Sequence, residues 1–192
     1  MTYTTSNGMK LLSKRDVIFA VITGLIAGII AWAILGYAWL IVTIPILWLL
    51  GVQLGYFLGK WIAFFDQFGK FSAIGFTNFA VDAGVLNLLM YLTGIVGGIG
   101  FSLFKSISFV IAVLHSYVWN KTWTFQSKGA SRQEFIKFMV VMLASWAINV
   151  GVASLVVHTL SPSVTHANLA AIVGSAIALI FSFIGFRIVV FK

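Results

Sequence analysis

The sequence predicts an all-α polytopic membrane protein with six transmembrane helices, and three observations predict it. Of the 192 residues, 61% are hydrophobic and only 8% are charged, too little charge to coat a soluble surface. The mean hydropathy is +1.08, and the apolar residues gather into six runs, each near the ~20 residues that let a helix cross a hydrocarbon core of ~30 Å. The lysines and arginines collect in alternate connections between those runs, which is the mark of a topology obeying the positive-inside rule. The formal charge of +8 therefore reads as membrane orientation and not as a nucleic-acid footprint, for which the chain has too little polar surface. Cysteine is absent, which excludes disulfides and thiolate chemistry. The carboxylates are Asp16, Asp66, Asp82 and Glu134, with no D-x-D metal pair, so no enzyme activity, metal or cofactor is expected.

Taken in order, residues 1–16 are polar, carry Lys10, Lys14 and Arg15, and read as a cytoplasmic N-terminal arm. Val17 to Gly36 is the first apolar run; it is too long for the ~7–15-residue core of a signal peptide and a second run follows at once, so an uncleaved helix is expected. Tyr37 to Leu58 is the second span, with Pro45 kinking it or sitting in its first turns, and 17–58 together form a tight hairpin. Gly24 and Gly28, and Gly51, Gly55 and Gly59, recur every fourth residue, a spacing that lets helices approach closely in lipid. Within 59–70, Trp61, Phe64, Phe65 and Phe68 fall on one face beside the polar Lys60, Gln67 and Lys70, predicting an amphipathic helix lying in the headgroup region.

The third span, Phe71 to Leu92, carries Asp82 near its middle. A charge at that depth costs roughly 2.5–3.5 kcal/mol on insertion scales, so something must compensate it. Asn78 and Gly75 continue the same face. The fourth span, about Phe101 to Trp119, carries Lys105, Ser108, Ala112, His115 and Trp119 as one stripe, and an Asp82–Lys105 pair is within reach. Ser131 and Glu134 have capping-box spacing ahead of the fifth span, Phe138 to Val157, and the sixth runs about Asn168 to Phe186, with Asn168, Ser175 and Ser182 on heptad spacing. Every Lys and Arg except Lys105 lies in the N-terminal arm, the 60–70 segment, the 121–137 loop or the carboxyl terminus, so both termini are expected in the cytoplasm of a cell-membrane protein.

The second half repeats the first. QFGKFSAIGFTNFAVDAGVLNLL (67–89) lies over EFIKFMVVMLASWAINVGVASLV (134–156), pairing Lys70 with Lys137, Phe71 with Phe138 and Asp82 with Asn149. FVIAVLHSYVWNKTWTF (109–125) lies over SAIALIFSFIGFRIVVF (175–191), pairing Lys121 with Arg187 and Phe125 with Phe191. Each repeat (about 67–125 and 134–192) holds two spans, so both cross the membrane in the same sense. The predicted architecture is a four-helix core of two parallel two-helix repeats plus an added N-terminal hairpin. Both membrane-depth charges sit in the first repeat alone.

KFSAIGFTNFAVDAGVLNLL and HSYVWNKTWTF together resemble the GtrA-like family, the first by its Lys-Phe start, mid-helix Asn and Asp and leucine-rich end. The second does so by an Asn-basic-x-aromatic-Thr-Phe signature, here Asn120, Lys121, Trp123, Thr124 and Phe125. The resemblance covers about 68–192, a GtrA-like four-helix domain at 71–192, and leaves 17–58 outside it. It implies translocation of a polyisoprenyl-phosphate-linked monosaccharide to the outer leaflet for cell-envelope glycan synthesis. It also implies an alternative as a non-transporting membrane scaffold for a polyprenyl-phosphate glycosyltransferase. On the transport reading Lys121 and Arg187 attract the phosphate, Asn120 and Trp123 contact phosphate and sugar, and Asn78, Asp82, Lys105 and His115 line the headgroup path. A proton-coupled small-molecule exporter using Asp82 is the other alternative. Membrane lipids, a partner glycosyltransferase and a homodimer are the candidate partners, and nucleic acid is not.

Overall fold

A long apolar run in lipid satisfies its backbone polar groups within itself by forming a helix, and among the described residues the chain does so six times. The computed structural model describes residues 3–4, 10–96, 98–129, 131–159 and 164–191. Its helices are α1 (Lys14–Leu35), α2 (Leu40–Leu58), α3 (Phe65–Thr93), α4 (Gly98–Trp119), α5 (Ser131–Thr159) and α6 (Val164–Gly185). Six helices are long and apolar enough to cross a membrane, as the hydropathy pattern predicts. Large apolar side chains such as Leu50, Phe79 and Val140 are exposed along them, which suits a lipid-facing surface. Two short strands, β1 (Tyr3–Thr4) and β2 (Lys10–Leu11), pair antiparallel ahead of α1. The helices divide into two compact units, Met1–Gln126 and Ser127–Lys192.

In the first unit α3 packs against α1, α2 and α4. The hairpin 17–58, expected as an added pair, is thus built into the packing of α3. Close approach is possible because small residues stand at the crossings. A Cβ on Gly24 would lie 2.5 Å from the Cα of Pro45, and one on Gly55 would lie 2.8 Å from the carbonyl oxygen of Phe65. Pro45 sits inside α2, buried against that glycine. Thr77 knits the three helices further: Trp48 Nε1 donates to its hydroxyl at 2.9 Å, and the hydroxyl lies 3.3 Å from the Thr23 carbonyl. Ala20, Val52, Tyr56, Ala73, Ile74 and Trp123 form the core beneath.

Two expectations change. Residues 59–70 are not a separate interfacial helix: 59–64 are turns, and Phe65 through Lys70 are the first turns of α3. At 29 residues and ~1.5 Å per residue, α3 is about 43 Å long. No proline interrupts it there, and Gly69 is where α3 meets the backbone of α2 at Gly51 and Gly55. The polar stretch 1–16 is also more than an arm. α1 begins at Lys14, capped by Ser13, whose hydroxyl accepts from the Asp16 N–H at 3.1 Å while the Asp16 carboxylate accepts from the Ser13 N–H at 3.2 Å. This is a capping box, and it buries Asp16.

The second unit is the α5–α6 hairpin. Phe138 on α5 stacks on Phe186 at 4.5 Å between ring centroids and touches Phe191, and Val141 packs where Gly185 leaves room. Both hairpins finish in a single π-helical turn, Asn120–Thr124 after α4 and Phe186–Val190 after α6. These are positions that the sequence alignment superposes. In each turn a phenylalanine N–H, of Phe125 or Phe191, bonds back five residues at 2.9 Å, to Asn120 or Phe186.

Gly55→Leu should wedge α2 from α3 and destabilise the protein by about 1–3 kcal/mol, as overpacking does. Gly51→Ala, where a Cβ meets nothing within 4 Å, should leave the melting temperature unchanged in the same thermal-unfolding measurement.

Candidate functional site

Ionisable side chains in lipid-compatible helices are expensive and mark either a structural ion pair or a path. Two ion-paired centres of the first unit bear on that choice. On α3 and α4, Asp82 forms an ion pair with Lys105, and Ser108 donates to the other carboxylate oxygen at 2.7 Å. The residues stand on the facing stripes that the helical spacing indicated. The pair is not sealed: the Lys105 side chain is 46% exposed and that of Asp82 21%, whereas Ser108 is fully buried. Asp82 lies twelve positions after Lys70 and eleven before Thr93, or about 18 Å and about 16 Å along the helix at ~1.5 Å per residue.

Next to this pair, toward the end where α3 begins, polar atoms are buried without partners. Among the described residues, Asn78 Oδ1 and both ring nitrogens of His115 have no hydrogen-bond partner. Asn78 is one turn before Asp82 on α3, and His115 is two turns after Ser108 on the antiparallel α4. They therefore continue the same two facing stripes and differ in level by only about 4–5 Å. The His115 ring stands 6.2 Å from that of Trp119. Unpaired polar atoms of this kind cost ~1–3 kcal/mol each. Here they form a short polar run beside an open ion pair.

The second charged centre lies at the end of the first unit where α1 and α3 begin, and the sequence reading missed it. Asp16 is 3% exposed. Its Oδ1 is 2.6 Å from Lys70 Nζ and accepts from Trp123 Nε1 at 3.0 Å. Its Oδ2 accepts from the hydroxyls of Ser13 at 2.6 Å and Tyr56 at 2.8 Å. One carboxylate thus joins α1, α2, α3 and the first π-helical turn. The available sequence signal was Ser13-x-x-Asp16, a capping-box spacing that would have placed Asp16 inside a helix. Arg15 reinforces the joint from outside, donating to the Thr122 carbonyl and, at 3.2 Å, to Gln126.

This centre alters the expected roles of two residues. Trp123, expected to contact a sugar, is 0% exposed and gives its indole N–H to Asp16. Asn120, expected at a phosphate, is 1% exposed, and its amide nitrogen donates to the carbonyl and hydroxyl of Ser116 at 2.9 and 3.2 Å. Both therefore shape the turn that carries Lys121. Lys121 itself is half-buried, its ammonium 5.9 Å from the centre of the Tyr117 ring. In the second unit Arg187 is exposed on its own π-helical turn. Asn149 stands where Asp82 does in the alignment and reaches Ser175 at 3.5 Å, a long contact between neutral groups. The side chain of Asn168 lies outside the described residues. Among the described residues no cluster of His, Asp or Glu has the makings of a metal site.

Residues 70–191 match the family model described as GtrA/DPMS, transmembrane domain. The uncharacterized membrane protein YngA of Bacillus subtilis (strain 168) is 30% identical over 124 residues, covering 64% of this chain and 78% of the relative.

If Asp82 and Lys105 compensate one another, removing one should cost more than removing both. Lys105→Met should lower the melting temperature of the detergent-purified protein. Adding Asp82→Asn to that variant should recover part of the loss, a coupling that a double-mutant cycle reads directly.

Proposed function

The chain belongs to the GtrA/DPMS transmembrane-domain family, a family of glycosyl-carrier-lipid membrane proteins, and we propose that it carries a polyisoprenyl-phosphate-linked monosaccharide from the cytoplasmic to the outer leaflet. The observation that supports this best is the open Asp82–Lys105 pair with its polar continuation. Such a lipid has an anionic phosphate, a polyhydroxylated sugar and a very apolar tail. Moving its head through hydrocarbon requires replacement partners for phosphate and sugar at membrane depth, with one side left open for the tail. Lys105 supplies an ammonium and Asp82 a carboxylate, both partly exposed. Ser108, Asn78 and His115 add hydroxyl, amide and imidazole groups along the same facing stripes. An ammonium answers the phosphate, and the carboxylate and neutral polar groups answer sugar hydroxyls.

Lys121 and Arg187, each on the π-helical turn of its own unit, supply positive charge at helix ends. With both termini in the cytoplasm, each cation sits at the cytoplasmic end of its own unit, and attraction of an anionic lipid to such a cation is worth about 1 kcal/mol per basic residue. Polarity then continues along α3 and α4 by His115 and Asn78 to Asp82 and Lys105. The proton-coupled exporter is less well supported, because Asp82 already has a resident cation in Lys105 that a cationic cargo would need to displace. A scaffold for a glycosyltransferase has no need of an open ion pair in mid-helix, and transport by the isolated chain separates the two readings.

Asp82→Asn and Lys105→Ala should each reduce flipping of a short-chain polyprenyl-phosphate monosaccharide in proteoliposomes to the protein-free rate, while both variants remain folded by circular dichroism and size-exclusion chromatography. Wild-type rates in both folded variants would sink the assignment.

A further inference from the structure

The four donors around Asp16 come from two different sources. Lys70 and Trp123 belong to the segment 70–191 that matches the family, whereas Asp16, Ser13 and Tyr56 belong to the chain before it. The matched segment contains two carboxylates, Asp82 and Glu134; the first is paired with Lys105 and the second accepts from the Ser127 hydroxyl. The family domain thus offers an ammonium and an indole N–H, both buried and both aimed at one point. The oxyanion that meets them is supplied by α1.

We propose that Lys70 and Trp123 form an oxyanion-binding site of which Asp16 is the resident occupant, and that a phosphate group, free or esterified, binds there when the carboxylate turns away. Carboxylate and phosphate present the same acceptor chemistry to these donors, and lysine binds phosphate as a point charge. The exchange has a local route. Asp16 keeps its capping-box bonds to the Ser13 N–H and hydroxyl while ceding Lys70 and Trp123, so α1 need not undock. Tyr56, whose hydroxyl donates to Asp16 Oδ2 at 2.8 Å, keeps that bond and holds its ring beside Lys70 Nζ, 5.2 Å from the ring centre. Arg15, exposed and bound to the π-helical turn at Thr122, places a further cation beside the turn that carries Trp123. Asp16 then regulates access: a ligand must outcompete a tethered carboxylate. This goes beyond the transport reading, since such a site operates whether or not the chain moves lipid.

The test uses the full chain in detergent, titrated with orthophosphate and followed by calorimetry and thermal unfolding. Asp16→Ala should bind orthophosphate about tenfold or more tighter than wild type, the gain expected when a competing charged acceptor is removed. It should also melt lower than wild type without phosphate and regain stability with it, by mass action. Asp16→Ala/Lys70→Met should lose both responses. Asp16→Asn, close in shape, should show the same direction if the alanine variant does not purify. Farnesyl phosphate and farnesol separate the sources. A lower working concentration for farnesyl phosphate than for orthophosphate assigns a lipid phosphate, equal concentrations assign a free anion, and either supports the site. Folded Asp16→Ala or Asp16→Asn protein with wild-type phosphate affinity overturns the proposal. So does a gain that survives Lys70→Met, a response to farnesol alone, or failure of both variants to fold even with phosphate present.

Discussion

The buried carboxylate of Asp16 is the constraint on which the first unit depends. Taking a carboxylate and an ammonium out of water costs several kcal/mol per ion, and Coulomb attraction repays it only when the remaining lone pairs are also satisfied. Asp16 meets that condition with Lys70, Trp123, Tyr56 and Ser13. Satisfying it requires α1, α2, α3 and the first π-helical turn to arrive at one point, so the pair sets the relative level of all four. The glycine and threonine contacts deeper in the bundle, Gly24 on Pro45 and Thr77 between Trp48 and Thr23, then follow from helices already aligned at one end.

Against this closed centre the Asp82–Lys105 pair is conspicuous for what it leaves undone. It stands partly exposed, is supported by the Ser108 hydroxyl, and borders polar atoms of Asn78 and His115 that have no partner among the described residues. On the transport reading, such openness leaves the pair and its polar neighbours able to take a passenger's headgroup as a partner. The two centres, about 18 Å apart along α3 at ~1.5 Å per residue, differ in closure: the Asp16–Lys70 pair is buried and the Asp82–Lys105 pair is partly exposed.

Much of this was legible in the sequence, and the remainder was hidden for physical reasons. The six spans follow from local hydropathy, which needs no tertiary information. The Asp82–Lys105 pair was readable because a charge in lipid must find a partner, and helical spacing left few candidates. Asp16 was not readable as a hub. It stands beside Lys14 and Arg15 in a polar stretch, and its partners at 56, 70 and 123 are brought to it only by the packing of three other helices. For the same reason Lys70 looked like an interfacial cation and Trp123 like an aromatic waiting for a sugar, when each is consumed by Asp16. The continuity of α3 through 65–70 escaped because the polar Gln67 and Lys70 suggested a membrane surface, whereas α2 covers that turn at Gly55. The π-helical turns carry no simple sequence signal; that each contains the cation, Lys121 or Arg187, at matching positions of the alignment emerges only from the backbone.

On the proposed function, the chain handles the phosphate-bearing head of a polyisoprenyl lipid. Mass spectrometry of the protein purified gently from its own membrane tests this most directly. A polyisoprenyl phosphate or its glycosylated form should be bound in excess over its share of the surrounding lipid, and depleted from Lys105→Ala. Bound lipid that simply mirrors the bulk phospholipid composition, in wild type and variant alike, would contradict it.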